Sequence, residues 1–353
     1  MSSKFNPSKP SQLDFHRPKT KRLRDLTQPS GTENENVGRI PKLTDESKKC
    51  IRNLAAYRAP KPKFHHPRSK SAAVLVALFV GRQGDLYVLL SRRSSTLRTY
   101  AGDTSLPGGK VEQGDKSMED TARREAFEEI GLPKDRTKVP LLCILEPFLA
   151  AELIVTPVVV LILDNTLRPV LNANEVTSLF SHPLSSFLTT SPPFPTEPDT
   201  LEVPYHTSFD FRSSGPSIPL GQEKDRGQNE GGKGKEQQTL FRVHQFLTGR
   251  EAGGIKPVFG LTASILIHTS TIAHARAPSF ELHPPSPPNP PTPPMQVRIA
   301  WALLNKPSFT EACTKEGVDL GKARKVLEEW EREVLRERRG ARRTKSSKGW
   351  SKL

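Results

Sequence analysis

The chain has 353 residues, 33 prolines, an apolar fraction of 34% and a formal charge of +15. No stretch approaches the ~18 apolar residues of a membrane span. Cys50, Cys143 and Cys313 lie far apart and in no C-x-x-C pair, which argues against a zinc site and a disulfide framework. The charge is uneven, +11 over residues 1–70 and +7 over 321–353, so the middle is slightly negative. Basic tails of this kind are one route to nucleic acid or to an acidic membrane surface. Here they flank the chemistry-bearing block and read as solvated sequence.

Met1-Ser2-Ser3-Lys4-Phe5-Asn6 lacks the apolar core of a secretory leader. Residues 1–45 are basic and rich in Pro and Ser, the composition of a disordered extension. The main domain is expected over 46–277, opening with a short amphipathic helix around Cys50–Tyr57. Ser71–Val80 and Leu86–Leu90 read as strands joined through Gly81-Arg82-Gln83-Gly84-Asp85, a hairpin. Ser117-Met118-Glu119-Asp120 has the capping-box spacing, and Gly131 before Pro133 ends the helix that it starts. Leu141–Leu145 and the β-branched run Ile154–Leu163 follow as strands, the second one buried. Asn174-Glu175-Val176 opens a helical pattern through Phe180, and Gly260–Leu266 a closing helix. Strands, helix, strands and helix in this order give an α+β chain, with a mixed β-sheet between helices in an α/β/α sandwich.

Two insertions interrupt the pattern. Residues 211–238 are rich in Gly, Ser and charge and are expected to be flexible; 278–295 form a Pro-rich linker favouring polyproline II. Residues 296–340 make a helical extension in which Val326, Trp330 and Val334 share one face. Residues 341–353 are a basic tail. Ser351-Lys352-Leu353 spells a peroxisomal import address, with an import receptor as the partner and the peroxisome as the location.

The chemistry concentrates in Gly108-Gly109-Lys110-Val111-Glu112-Gln113-Gly114 and Arg124-Glu125-Ala126-Phe127-Glu128-Glu129-Ile130-Gly131-Leu132. Glu125, Glu128 and Glu129 stand at i, i+3 and i+4, on one face of a helix, where like charges repel. A hard divalent cation turns that repulsion into binding, and magnesium takes substrate phosphates as further ligands. The alternative, a solvated acidic helix face, leaves the glycine loop unexplained. Upstream, Arg93 and Arg98 offer guanidinium forks suited to phosphate oxygens.

The segment resembles the Nudix box, G-x5-E-x7-R-E-U-x-E-E-x-G-U, through Gly109, Arg124, Glu125, Glu128, Glu129, Gly131 and Leu132. Fourteen residues separate Gly109 from Arg124, one more than the general pattern, Asp115 fills the loop acidic position, and Ala126 replaces the bulky aliphatic. The longer box is similar to that of the coenzyme A diphosphatases. So is Leu89-Leu90-Ser91-Arg92-Arg93-Ser94, followed by Arg98, Gly102 and Leu106-Pro107-Gly108-Gly109, with Ser91 for Thr and Leu106 for Phe.

The resemblance implies a Nudix-like fold and metal-dependent hydrolysis of the diphosphate bond of coenzyme A, acyl-CoA or oxidised CoA, giving 3′,5′-ADP and 4′-phosphopantetheine. Mg²⁺ or Mn²⁺ would be held by Glu125 and Glu129, with Glu128 as third ligand. Arg124 would orient a box glutamate, and Arg93, Arg98, Gly108 and Gly109 would contact the substrate. Two alternatives stay open: a Nudix hydrolase of oxidised nucleotides or nucleotide sugars, and a non-catalytic nucleic-acid-binding protein using the basic tails.

Overall fold

The computed structural model of the chain describes residues 42–164, 166–194, 203–215, 238–284 and 292–349. The extension over 1–41, positions 216–237 of the flexible insertion, 285–291 of the Pro-rich linker and the tripeptide Ser351-Lys352-Leu353 lie outside the described residues.

Helix α1 (Asp45–Ala56) starts where Thr44 accepts the Ser47 amide at 3.1 Å, and it buries Cys50, Ile51 and Leu54. Strands β1 (Ser71–Val80) and β2 (Leu86–Arg93) pair antiparallel, Leu78 opposite Val88. Two short strands, β3 (Thr104–Ser105) and β4 (Gly108–Lys110), pair with β2 and β1. Helix α2 (Met118–Ile130) is capped by Ser117, whose hydroxyl accepts the Asp120 amide, and it stops at Gly131 with φ of 68°. Only glycine takes that left-handed position without a steric cost. Strands β5 (Leu141–Ile144) and β6 (Phe148–Leu149) flank β7 (Ile154–Ile162), which is buried along its whole length and parallel to β1. A parallel strand covered on both faces reads as such a continuous apolar run.

The segment after Asn174 is strand β8 (Val176–Pro183), not a helix; it pairs with β2 with Leu90 opposite Phe180. Asn174 donates its amide to the Asn172 side chain at 3.2 Å, a turn that feeds an extended chain. Pairing with β2 outweighs the helical spacing of its apolar residues. Strands β9 (His206–Ser214), β10 (Gln238–Phe246) and β11 (Val258–Phe259) form a second, antiparallel sheet. Residues 211–214, expected in a flexible insertion, are therefore part of a paired strand, Phe211 facing Phe241. Helix α3 (Gly260–His274) closes the domain.

Alternation along β1 builds two cores. Ala73, Leu75 and Ala77 pack with Val158 and Val160 against Met118, Ala122, Ala126 and Ile130 of α2. Val76, Leu78 and Val80 pack with Val159 and Leu161 against α1 and α3. This is a mixed sheet between helices, an α/β/α sandwich. Beyond it, α4 (Met295–Asn305), α5 (Pro307–Glu316) and α6 (Gly321–Gly349) surround Phe309 and Trp330 and dock on Phe64, Leu149 and Ile154. Burying one such large side chain stabilises by about 1.5–3 kcal/mol. Helix α6 runs on to Gly349, so 341–349 of the expected tail are helical. Among the described residues no helix is long and apolar enough to cross a membrane.

Candidate active site

The site forms where β4, the loop after it and α2 meet the lower end of β1. Gly108 and Gly109 pair with Val74 and Ala73. A Cβ on Gly108 would press on backbone, 2.6 Å from Val74 Cα. One on Gly109 would run into the carboxylate of Glu125. The first glycine is thus required by the strand behind it and the second by the acidic group in front of it.

Glu129 is 7% exposed at its side chain and accepts the Gly108 N–H at 3.1 Å. Arg93, at the end of β2, brings Nη1 to 4.0 Å from Glu129 Oε1. Burial pushes the Glu129 carboxyl up to about 7; the Gly108 N–H opposes this, and the charge of Glu125 adds to it. Burial also raises Glu125, against the pull of Arg124. Two carboxylates one helical turn apart, both desolvated and mutually repelled, are the donors that a hard cation satisfies. The glycine strand beside them keeps the space in front of Glu125 clear. Glu125 and Glu129 therefore fit a divalent ion.

Glu128 sits differently. Its side chain is 48% exposed and accepts Arg124 Nη1 at 3.0 Å, and the same nitrogen reaches Glu125 Oε1 at 3.1 Å. Among the described residues no group of three His, Cys, Asp or Glu side chains stands where it could hold a metal ion together. Arg124 bridges Glu128 and Glu125 through Nη1. Its Nε and Nη2 also hold Asp115, each at 3.1 Å, and Nη2 donates to Lys110 O at 2.9 Å. Asp115 in turn accepts the Glu112 amide and the Thr121 hydroxyl, both at 2.9 Å. Arg124 and Asp115 together tie the loop after β4 to the first turns of α2.

Arg93 Nε is buried and has no hydrogen-bond partner among the described residues. An unmet guanidinium donor beside the Glu129 carboxylate is an opening for an anion. Arg98 is exposed on the loop 94–103 and forms no hydrogen bond or ion pair with the glutamates among the described residues. Sequence reasoning missed Glu175, whose charge also acts on Glu129. It lies just before β8, and its main-chain carbonyl accepts the Ser94 amide at 2.7 Å. The mistaken helix there concealed it. Lys256 was missed as well: it reaches Ala101 O at 2.9 Å and Asp103 at 2.6 Å, and so pins the loop that carries Arg98.

The NUDIX domain family model matches residues 69–176, from the start of β1 to the start of β8. The Nudix hydrolase NudL of Photorhabdus laumondii is 40% identical over 133 residues, 37% of this chain and 68% of that protein. The chain belongs to the Nudix family. "Nudix hydrolase 15, mitochondrial" of Arabidopsis thaliana is 36% identical over 216 residues, 60% of this chain and 62% of its own length. "Peroxisomal coenzyme A diphosphatase 1, peroxisomal" of Saccharomyces cerevisiae is 46% identical over 93 residues, 25% of this chain and 27% of its own. The chain thus spans under two thirds of the plant relative and about a quarter of the yeast one. Nudix hydrolases generally use divalent ions such as Mg²⁺ or Mn²⁺, in keeping with the donor chemistry of Glu125 and Glu129.

Proposed function

We propose that this Nudix protein hydrolyses the diphosphate bond of coenzyme A, or of acyl-CoA or oxidised CoA, to 3′,5′-ADP and 4′-phosphopantetheine. The observation that carries the reading is the pairing of Arg93 with Glu129: the arginine of the segment resembling the coenzyme A diphosphatases lies beside the carboxylate that fits the metal. The similarity to the yeast coenzyme A diphosphatase supports the same substrate.

Glu125 and Glu129 would hold Mg²⁺ or Mn²⁺, with Glu128 in reserve on Arg124. When bound, the ion neutralises phosphate charge and lowers the pKa of water. The chain's residues do the positioning. Arg93 offers Nε and Nη1 to one phosphate of the diphosphate, and Arg98, on its exposed loop, a second fork. Gly108 and Gly109 admit the substrate close to the main chain. The tie between Arg124 and Asp115 holds the loop after β4 against α2. Water's oxygen forms the new P–O bond, the bridging P–O bond breaks, and two phosphomonoesters leave, both protons of the water being released when the products are dianions.

The test is product identification from coenzyme A, ADP-ribose and 8-oxo-dGTP with Mg²⁺ or Mn²⁺. The reading expects 3′,5′-ADP as the main product. Preference for ADP-ribose would refute the substrate, and full activity in Glu125→Gln and Glu129→Gln would refute the site. A peroxisomal location goes with this substrate, in line with the name of the yeast relative; the plant relative is named mitochondrial.

A further inference from the structure

Among the described residues two non-glycine positions have positive φ, Ala275 at 49° and Tyr100 at 57°. Ala275 is the C-cap of α3, where a left-handed residue is common. Tyr100 caps nothing. A bulky aromatic residue avoids this conformation unless its surroundings impose it, and such outliers gather at functional sites. The surroundings do impose it. Asp103 donates its amide to Tyr100 O at 3.2 Å, Gly102 follows at φ of 71°, and Lys256 clamps both Ala101 and Asp103.

Among the described residues the ring makes no hydrogen bond or ring contact, and Tyr100 is 66% exposed. The loop carrying it is anchored at the candidate active site. Its ends meet where the Arg93 amide donates to Asp103 O at 2.9 Å, and Arg93 is the residue beside Glu129. Exposed aromatic faces near phosphate-binding arginines suit a nucleobase, which stacks on an aromatic ring while its phosphates are held nearby.

The geometry points to Tyr100 as the platform for the adenine ring of a nucleotide-containing substrate. This rests on the proposed function for the diphosphate position and adds the subsite for the base. Phe127, another exposed aromatic residue on α2, serves as the comparison; Lys134 covers its ring at 4.9 Å.

The test measures binding of 3′,5′-ADP and of 4′-phosphopantetheine to the full chain by calorimetry, with coenzyme A turnover beside it. Tyr100→Ala and Tyr100→Gly should weaken 3′,5′-ADP and raise KM by about tenfold, a typical effect of losing one stacked base. The kcat and the affinity for 4′-phosphopantetheine should stay unchanged. Tyr100→Phe should behave as the unaltered protein, and Phe127→Ala likewise. Tyr100→Gly should melt no lower than the unaltered protein, because glycine accepts the backbone conformation. Equal weakening of both ligands, no weakening in Tyr100→Ala, or an equal loss in Phe127→Ala would overturn the assignment. So would failure of the unaltered protein to bind 3′,5′-ADP. If binding depends on Tyr100 but coenzyme A is not cleaved, the platform stands and the proposed reaction falls.

Discussion

Gly109→Ala separates the geometry of the site from its stability. The new Cβ would lie on the Glu125 carboxylate, which is the end of a flexible side chain. The chain can yield there by turning Glu125 aside, at a cost within about 1 kcal/mol. On a domain of this size that is a fall in Tm of about 2–4 °C. Turning Glu125 aside spoils one of the two donors, so affinity for Mn²⁺ should drop by roughly 10–100-fold, the usual effect of disturbing how a ligand is oriented. Gly108→Ala makes the contrast. Its Cβ meets the Ala73 carbonyl and lies 2.6 Å from Val74 Cα, which are main-chain atoms and cannot step aside. Overpacking of that kind costs about 1–3 kcal/mol. It also disturbs the Gly108–Glu129 hydrogen bond, a contact to a charged group contributing about 1.5–3 kcal/mol more. Thermal melts and Mn²⁺ calorimetry on the two variants decide the matter. If Gly109→Ala binds Mn²⁺ like the unaltered protein, or melts as low as Gly108→Ala, the packing argument is wrong.

Glu129→Gln should match or exceed the Tm of the unaltered protein without metal, because a buried carboxylate costs desolvation. It should lose the stabilisation that added Mn²⁺ confers, and a metal-dependent shift in its melt would count against Glu129 as a ligand. Arg124→Met leaves Asp115 buried without its cation, at a cost of about 3 kcal/mol; urea denaturation checks this, and a change under 1 kcal/mol would show that the loop is held otherwise. Burial, with Arg250 adding, lowers the His182 imidazole to about 4, so it stays neutral in the fold and gains a proton on unfolding. Its contribution is complete above the unfolded value of about 6.5 and is lost as pH falls from there towards 4, by about 1.4 kcal/mol per unit. His182→Gln should therefore lose less stability than the unaltered protein between pH 7 and 5.5, and equal losses would refute the shift.

Much of the sandwich was legible because its signals are local. The cap at Ser117, the stop at Gly131 and the apolar run of β7 each follow from a few neighbouring residues. β8 was not, because Val176–Phe180 carries apolar residues at a spacing that a helix also allows and only pairing with β2 decides. The second sheet was hidden because its strands β9 and β10 border the Gly-rich insertion, whose composition dominates that window. In the site, i, i+3 and i+4 spacing brought three glutamates to one side of α2. That spacing says nothing of what fills the gaps between them. Arg124, next in sequence to Glu125 and one turn from Glu128, takes up Glu128 and leaves Glu125 with Glu129. The approach of Arg93 to Glu129 was equally beyond reach, since it depends on how the end of β2 lies against a helical residue 36 positions later.

The hydrogen bond from Gly108 to Glu129 joins a strand of the sheet to a helix packed upon it. Neither piece alone brings a main-chain amide to that oxygen, so the acidic pair takes its working shape only after α2 has docked on β1. A chain caught midway through folding would have the right residues and still be a poor host for a divalent ion. Uptake of manganese by this protein should then report the completed sandwich, and a folding experiment could follow it as a late event.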